Sequence, residues 1–277
     1  MVTSRRLPEG TPSKRYRCIS CSFPVDSLFI EYSKGNLTLT QCPRCREFAD
    51  KYVEHDYVVL FIDIILIKPQ VYRHLLFNRF GSASDSIDRS IVRLGILLVL
   101  FDVYLTWGRL EKQTTAAPLP FTSETLLQRH VVPQYLRFLL LCLVETVAFH
   151  LTIRGLARYM LGWTRPNMLS TALFISSSMK LLPILMVIWS YDVLAAARAV
   201  GWAVVVNNIE ALTILLECGY LEAGALAFSG AAVRACVAWA VLRFSMVDGS
   251  GPVIVWPQDL RALGEGLLKT LEWVGVS

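Results

Sequence analysis

The chain has 277 residues, of which 54% are apolar and 18% charged, and its net charge is +5. A soluble domain is typically about 45–50% apolar. The excess here lies beyond residue 57, which argues against a wholly soluble protein and for a soluble N-terminal module joined to a polytopic membrane domain. The basic residues flank the apolar blocks, so the positive charge reads as membrane topology and lipid-headgroup contact, and no nucleic-acid partner is expected.

Residues 1–15 are polar and basic and are expected to be disordered. No apolar run precedes residue 57, which argues against a cleaved signal peptide and for a cytosolic N-terminus.

Residues 16–56 carry the strongest chemical signal. The sequence runs CISC, twenty residues, then CPRC, so Cys18, Cys21, Cys42 and Cys45 form two C-x2-C pairs. Each pair places two thiolates on one tight turn, and two such turns supply the four sulfurs of a tetrahedral zinc site. Between them, SLFIEY and NLTLTQ have strand composition and SKGN is a turn, so a hairpin would bring the second pair back beside the first. The expected fold is a small zinc ribbon with structural Zn. Pro43 and the lack of a βαβ context argue against a redox dithiol, and a cytosolic setting argues against disulfides. Four ligands are too few for a two-zinc RING module. Glu54, His55 and Asp56 have no nucleophile motif nearby and read as a polar edge between ribbon and membrane.

Residues 57–80 contain an apolar run too short to span a bilayer, which needs about 20 residues. On a helical wheel Asp56, Asp63, Gln70, His74 and Asn78 share one side. That pattern suits an amphipathic segment in the cytosolic interface, with Lys68, Arg73, His74 and Arg79 as candidate headgroup contacts. The competing reading packs the same helix on the ribbon or on the spans. Pro69 should kink or split it.

The run RYRCISC, the twenty-residue insert, CPRC and then DKYVEHDYVVLFIDIILIKPQVYRHLLFN resembles the homology domain of the Arv family, in a fungal-type form. The name stands for "ACAT-related enzyme required for viability". Further on, SSMKLLPILMVIW is similar to a family span with Lys-Leu-Leu before a proline. The resemblance implies a multi-pass protein of the endoplasmic reticulum or Golgi membrane. It implies a role in sterol and sphingolipid homeostasis and in glycosylphosphatidylinositol anchor synthesis, with membrane lipids and subunits of the anchor-forming glycosyltransferase complex as partners. The family has no established catalytic residues, so no enzyme activity is expected.

Five spans are expected in residues 88–244, at 88–107, 135–155, 168–189, 193–217 and 223–244, followed by a tail at 245–277 with a short amphipathic helix. Ionisable residues inside spans are functional candidates. They are Asp102, Glu145, His150, Lys180, Glu210 and Arg234, and depth arithmetic pairs Glu145 with Lys180 and Glu210 with Arg234, in direct contact or around a shared polar cavity, as an intramembrane polar site. Ala223, Ala227, Ala231 and Ala235 form a small-residue stripe for close helix packing. Cys142, Cys218 and Cys236 read as small hydrophobes. The function expected is a non-enzymatic lipid handler or accessory subunit. The alternatives are a membrane-embedded lipid-modifying enzyme using His150, or a scaffold that recruits through the ribbon.

Overall fold

In a computed structural model the described residues are 16–33, 36–81, 85–116, 131–183 and 193–245. The expected disordered start, residues 184–189 of the third span and nearly all of the tail lie outside them.

The N-terminal module is built from two short antiparallel pairs. Strands β1 (Tyr16–Arg17) and β2 (Pro24–Val25) flank the first cysteine turn, and β3 (Phe29–Ser33) pairs with β4 (Asn36–Leu39) as the hairpin. Its core is small: Cys18, Val25, Leu28, Cys42 and Ala49.

A 3-10 turn at Lys51–Val53 leads into α1 (Tyr57–Ile65). Ile67, at φ 54°, breaks the helix, and α2 (Pro69–Arg73) restarts it with proline at the first helical position, where its missing N–H costs nothing. A π-helical turn follows at His74–Arg79. On α1 the polarity is inverted. Leu60, Asp63 and Ile64 are buried, whereas Tyr57, Val58, Ile62 and Leu66 are exposed.

The remaining described elements are helical: α3 (Arg89–Ala116), α4 (Val131–Leu161), α5 (Pro166–Ser177) with a 3-10 extension at Ser178–Leu181, α6 (Val193–Leu216) and α7 (Tyr220–Ser245). Among the described residues three helices are long and apolar enough to cross a membrane, over Arg89–Trp107, Tyr135–Leu161 and Tyr220–Val241, where five spans were expected. These fit a multi-pass membrane protein. Their outer faces carry exposed apolar side chains such as Ile96, Leu100, Leu140 and Val147, the arrangement a lipid solvent favours. The α5 helix has only twelve residues, about 18 Å of helix.

The core of this part joins Ile153 and Ala157 of α4, Leu169 and Leu173 of α5, Leu212 and Leu215 of α6 and Leu226 of α7 with Tyr72 and Leu76 beside the ribbon. The alanine stripe of α7 turns inward at its start: Ala223 and Ala227 are buried, and Ala231 and Ala235 are half-buried. Gly230 faces α4 so closely that a Cβ there would stand 2.9 Å from Ile153 and 3.0 Å from Phe149.

Candidate functional site

The two C-x2-C turns are near copies of each other. Ser22 N–H donates to the Cys18 carbonyl and Arg46 N–H to the Cys42 carbonyl, each at 2.9 Å. The residue after each pair sits in the left-handed region, Ser22 at φ 60° and Arg46 at φ 62°. Cys18 N–H donates to Phe23 O at 2.9 Å and Cys42 N–H to Glu47 O at 2.8 Å, closing each loop. Ile19 N–H donates to Ala49 O at 3.0 Å and ties the two turns together.

This repetition brings all four sulfurs within 4.8 Å of one another. Cys18 and Cys45 sulfurs are 3.7 Å apart, and Cys21 and Cys42 sulfurs 3.6 Å. A tetrahedron of sulfurs at about 2.3 Å from a metal has edges of about 3.8 Å. The spacing therefore fits a four-thiolate metal site and lies far beyond the S–S bond length of about 2.05 Å. Burial pushes the Cys18 thiol up to about 12. Burial also opposes ionisation of Cys42, but N–H donation from Cys45 and Arg44 outweighs it and brings that thiol down to about 7. A metal would have to displace the protons of the others, and with four protein ligands it would have no open position for a reactive water.

Beneath the ribbon lies a buried polar clip. Asp50, fully buried, accepts from Tyr52 N–H at 3.0 Å, is 2.6 Å from His74 Nδ1, and accepts from Asn78 Nδ2 at 2.7 Å. Asn78 also treats β1 as a strand partner, accepting from Arg17 N–H and donating to Arg17 O, both at 2.9 Å. Arg73 donates Nη1 to the carbonyls of Ile19 and Ser20 at 2.9 and 2.8 Å. Asp63 accepts from Tyr52 Oη and from Lys68 Nζ, each at 2.6 Å. Burial would raise the Asp63 carboxyl, but Lys68 and then Tyr52 hold it below its usual value.

All four residues expected to touch headgroups have partners within the protein. Arg73 and His74 bind the ribbon and Lys68 binds Asp63, while Arg79 donates to Tyr57 Oη at 2.6 Å on the exposed rim. Of the polar side of the wheel, Asp63, His74 and Asn78 are buried toward the ribbon and its linker, where Asp50 would incur a desolvation cost if left without partners.

A second cluster lies among the spans. Lys180 donates to Asp102 at 2.9 Å, and Arg234 donates to Glu145 at 3.0 Å and stands 3.9 Å from Asp102. Two acids and two bases from α3, α4, the turn after α5, and α7 make a neutral tetrad. Each lies about 13 to 16 residues from the ribbon-side end of its helix, or about 20 Å deep.

The expected pairs were different. Lys180 meets Asp102 and not Glu145, because equal depth fixes height but not the direction a side chain faces. Glu210 does not meet Arg234. The α6 helix ends at Leu216, so Glu210 is about 12 Å nearer the ribbon, where it accepts from Tyr220 Oη at 3.1 Å. Removing one charge of the tetrad should cost more than removing a matched pair. Lys180→Met should lower thermal stability more than the Asp102→Asn/Lys180→Met double change, and a double-mutant cycle in detergent checks it.

His150 gains a partner that sequence did not reveal. Its Nδ1 lies 3.1 Å from Ser170 Oγ, which also accepts from Arg154 Nε at 2.8 Å, and Ser170 is 2% exposed. Sequence also missed Asp85, whose carboxylate accepts from the N–H groups of Asn167 and Met168 at 3.1 and 3.0 Å and caps α5.

A model described as the Arv1-like family matches residues 17–212, from β1 into α6. The chain belongs to the Arv1-like family. Among its relatives, "Protein arv1" of Schizosaccharomyces pombe is 40% identical over 232 residues, covering 83% of this chain and 86% of that protein. "Protein ARV1" of Homo sapiens is 31% identical over 216 residues, 75% of each chain, and "Protein ARV1" of Saccharomyces cerevisiae is 30% identical over 265 residues, 73% of this chain and 82% of that one. No solved structure matches the chain. The Arv1-like match takes in the metal turns, the clip, Asp102, Glu145 and Lys180, and ends before Arg234.

Proposed function

We propose that this Arv1-like chain is a non-enzymatic membrane factor of the endoplasmic reticulum with a structural zinc ribbon on the cytosolic face. It serves sterol and sphingolipid homeostasis and glycosylphosphatidylinositol anchor synthesis, as a lipid handler or as an accessory subunit of the anchor-forming glycosyltransferase complex. The observation that carries this reading is the closed four-thiolate cluster docked on a polar-centred membrane bundle. The family membership supports the lipid role.

The exposed apolar side of α1, with Val58, Ile62 and Leu66, supports placing the ribbon's base against the bilayer. The enzyme reading is weaker, because the Ser170 hydroxyl beside His150 is already held by Arg154 Nε. Purification from native membranes, followed by mass spectrometry of lipids and proteins, tests the proposal. Retained lipid, or glycosyltransferase subunits in stoichiometric amount, is expected. Turnover of a lipid substrate by the chain alone would overturn it.

A further inference from the structure

A cavity of about 1030 Å³ opens where ribbon, α2 and the ribbon-side helix ends meet. Four arginines line it: Arg17 and Arg44 from the ribbon, Arg73 from α2, and Arg165 from the turn before α5. Its two carboxylates are already engaged, Glu217 with Arg17 and Glu210 with Tyr220 Oη. The lining therefore carries an excess of two positive charges. Arg44 is exposed and makes no side-chain hydrogen bond or ion pair among the described residues. Arg73 is held in place by the Ile19 and Ser20 carbonyls through Nη1 alone, which leaves the rest of its donor fork for a ligand.

We propose that this cavity holds the phosphate of a membrane-lipid headgroup, an inference that rests on the lipid-handling reading. Arginine forks match phosphate oxygens in a geometry lysine does not. The position selects a lipid over a free anion. Trp163 and Tyr220 line the cavity at the ends of two spanning helices, the depth at which such rings settle in a bilayer. Close in sequence to these rings, Tyr159 and Leu221 are 91% and 90% exposed and offer an apolar surface for acyl chains.

The full chain in dodecyl maltoside micelles, which carry no phosphate, would be titrated with dioctanoyl phosphatidate, with inorganic phosphate as competitor. Saturable binding is expected, weakened about tenfold by Arg44→Gln and more in the Arg44→Gln/Arg165→Gln double variant. Lys51→Gln, outside the cavity, should leave it unchanged. Metal content and thermal midpoint confirm folding, and Arg44, being exposed, carries the test if Arg165→Gln unfolds. Absence of binding, equal binding by all variants, or displacement by inorganic phosphate at equal concentration would overturn the assignment. Because binding is read on purified protein, variants that lose it yet still restore cellular lipid balance would leave the site standing and overturn its role in lipid handling.

Discussion

Replacing Cys42 by serine should remove the metal and unfold residues 16–56. The ribbon's own core is five buried residues, two of them the cysteines Cys18 and Cys42, too little apolar surface to hold a module of this size. Metal binding to such a site contributes about 10–16 kcal/mol of folding free energy. No other contact within the ribbon approaches that. Elemental analysis of purified protein should fall from one zinc per chain to none, and the segment around Arg44 should become sensitive to protease. Cys236→Ser, at an exposed position on α7, should change neither readout.

The second large effect belongs to Asp50. Its carboxylate serves three groups in a site closed to water, so Asp50→Ala would strand Tyr52 N–H and His74 Nδ1 and leave Asn78 with its Arg17 bonds alone. Breaking a buried network of this kind costs about 3–5 kcal/mol. The loss should appear as faster hydrogen exchange at Arg17, Tyr52 and residues 74–79, with the zinc retained, because no cysteine is touched. Lys68→Ala removes a lysine that is 45% exposed from the buried Asp63, which keeps its bond from Tyr52 Oη, and should cost less, about 1–3 kcal/mol. If the two changes have equal effects, the clip does not hold the ribbon.

The metal turns were legible because their chemistry is local: C-x2-C fixes two sulfurs on one turn, and the hairpin composition says how the halves meet. The multi-pass character was legible for the same reason, since apolar length is a property of each segment, but five spans were expected and three helices among the described residues are long and apolar enough to cross a membrane. Partners were not. The wheel placed Asp63, His74 and Asn78 on one side correctly, but nothing local says whether such a side faces headgroups or a ribbon carrying Asp50. Water and a buried carboxylate are equally good reasons for a polar stripe. The tetrad shows the same limit. Its four depths follow from helix length, but the choice of Asp102 for Lys180 depends on rotation of α3 about its axis, which hydropathy does not encode.

His150 also illustrates the limit, in the opposite sense. By sequence it is an intramembrane histidine without a partner. The fold supplies Ser170, Arg154 and the Phe174 ring, whose centre lies 4.4 Å away, and so accounts for it as packing.

The most direct test of the central claim is lipid rescue in a fungal cell lacking its own family member, with sterol esters, ceramides and anchored surface proteins measured together. The account predicts full restoration by the wild-type chain and by His150→Ala at equal abundance, and none by Cys42→Ser. Loss of rescue by His150→Ala at normal abundance, or full rescue by Cys42→Ser, would contradict it.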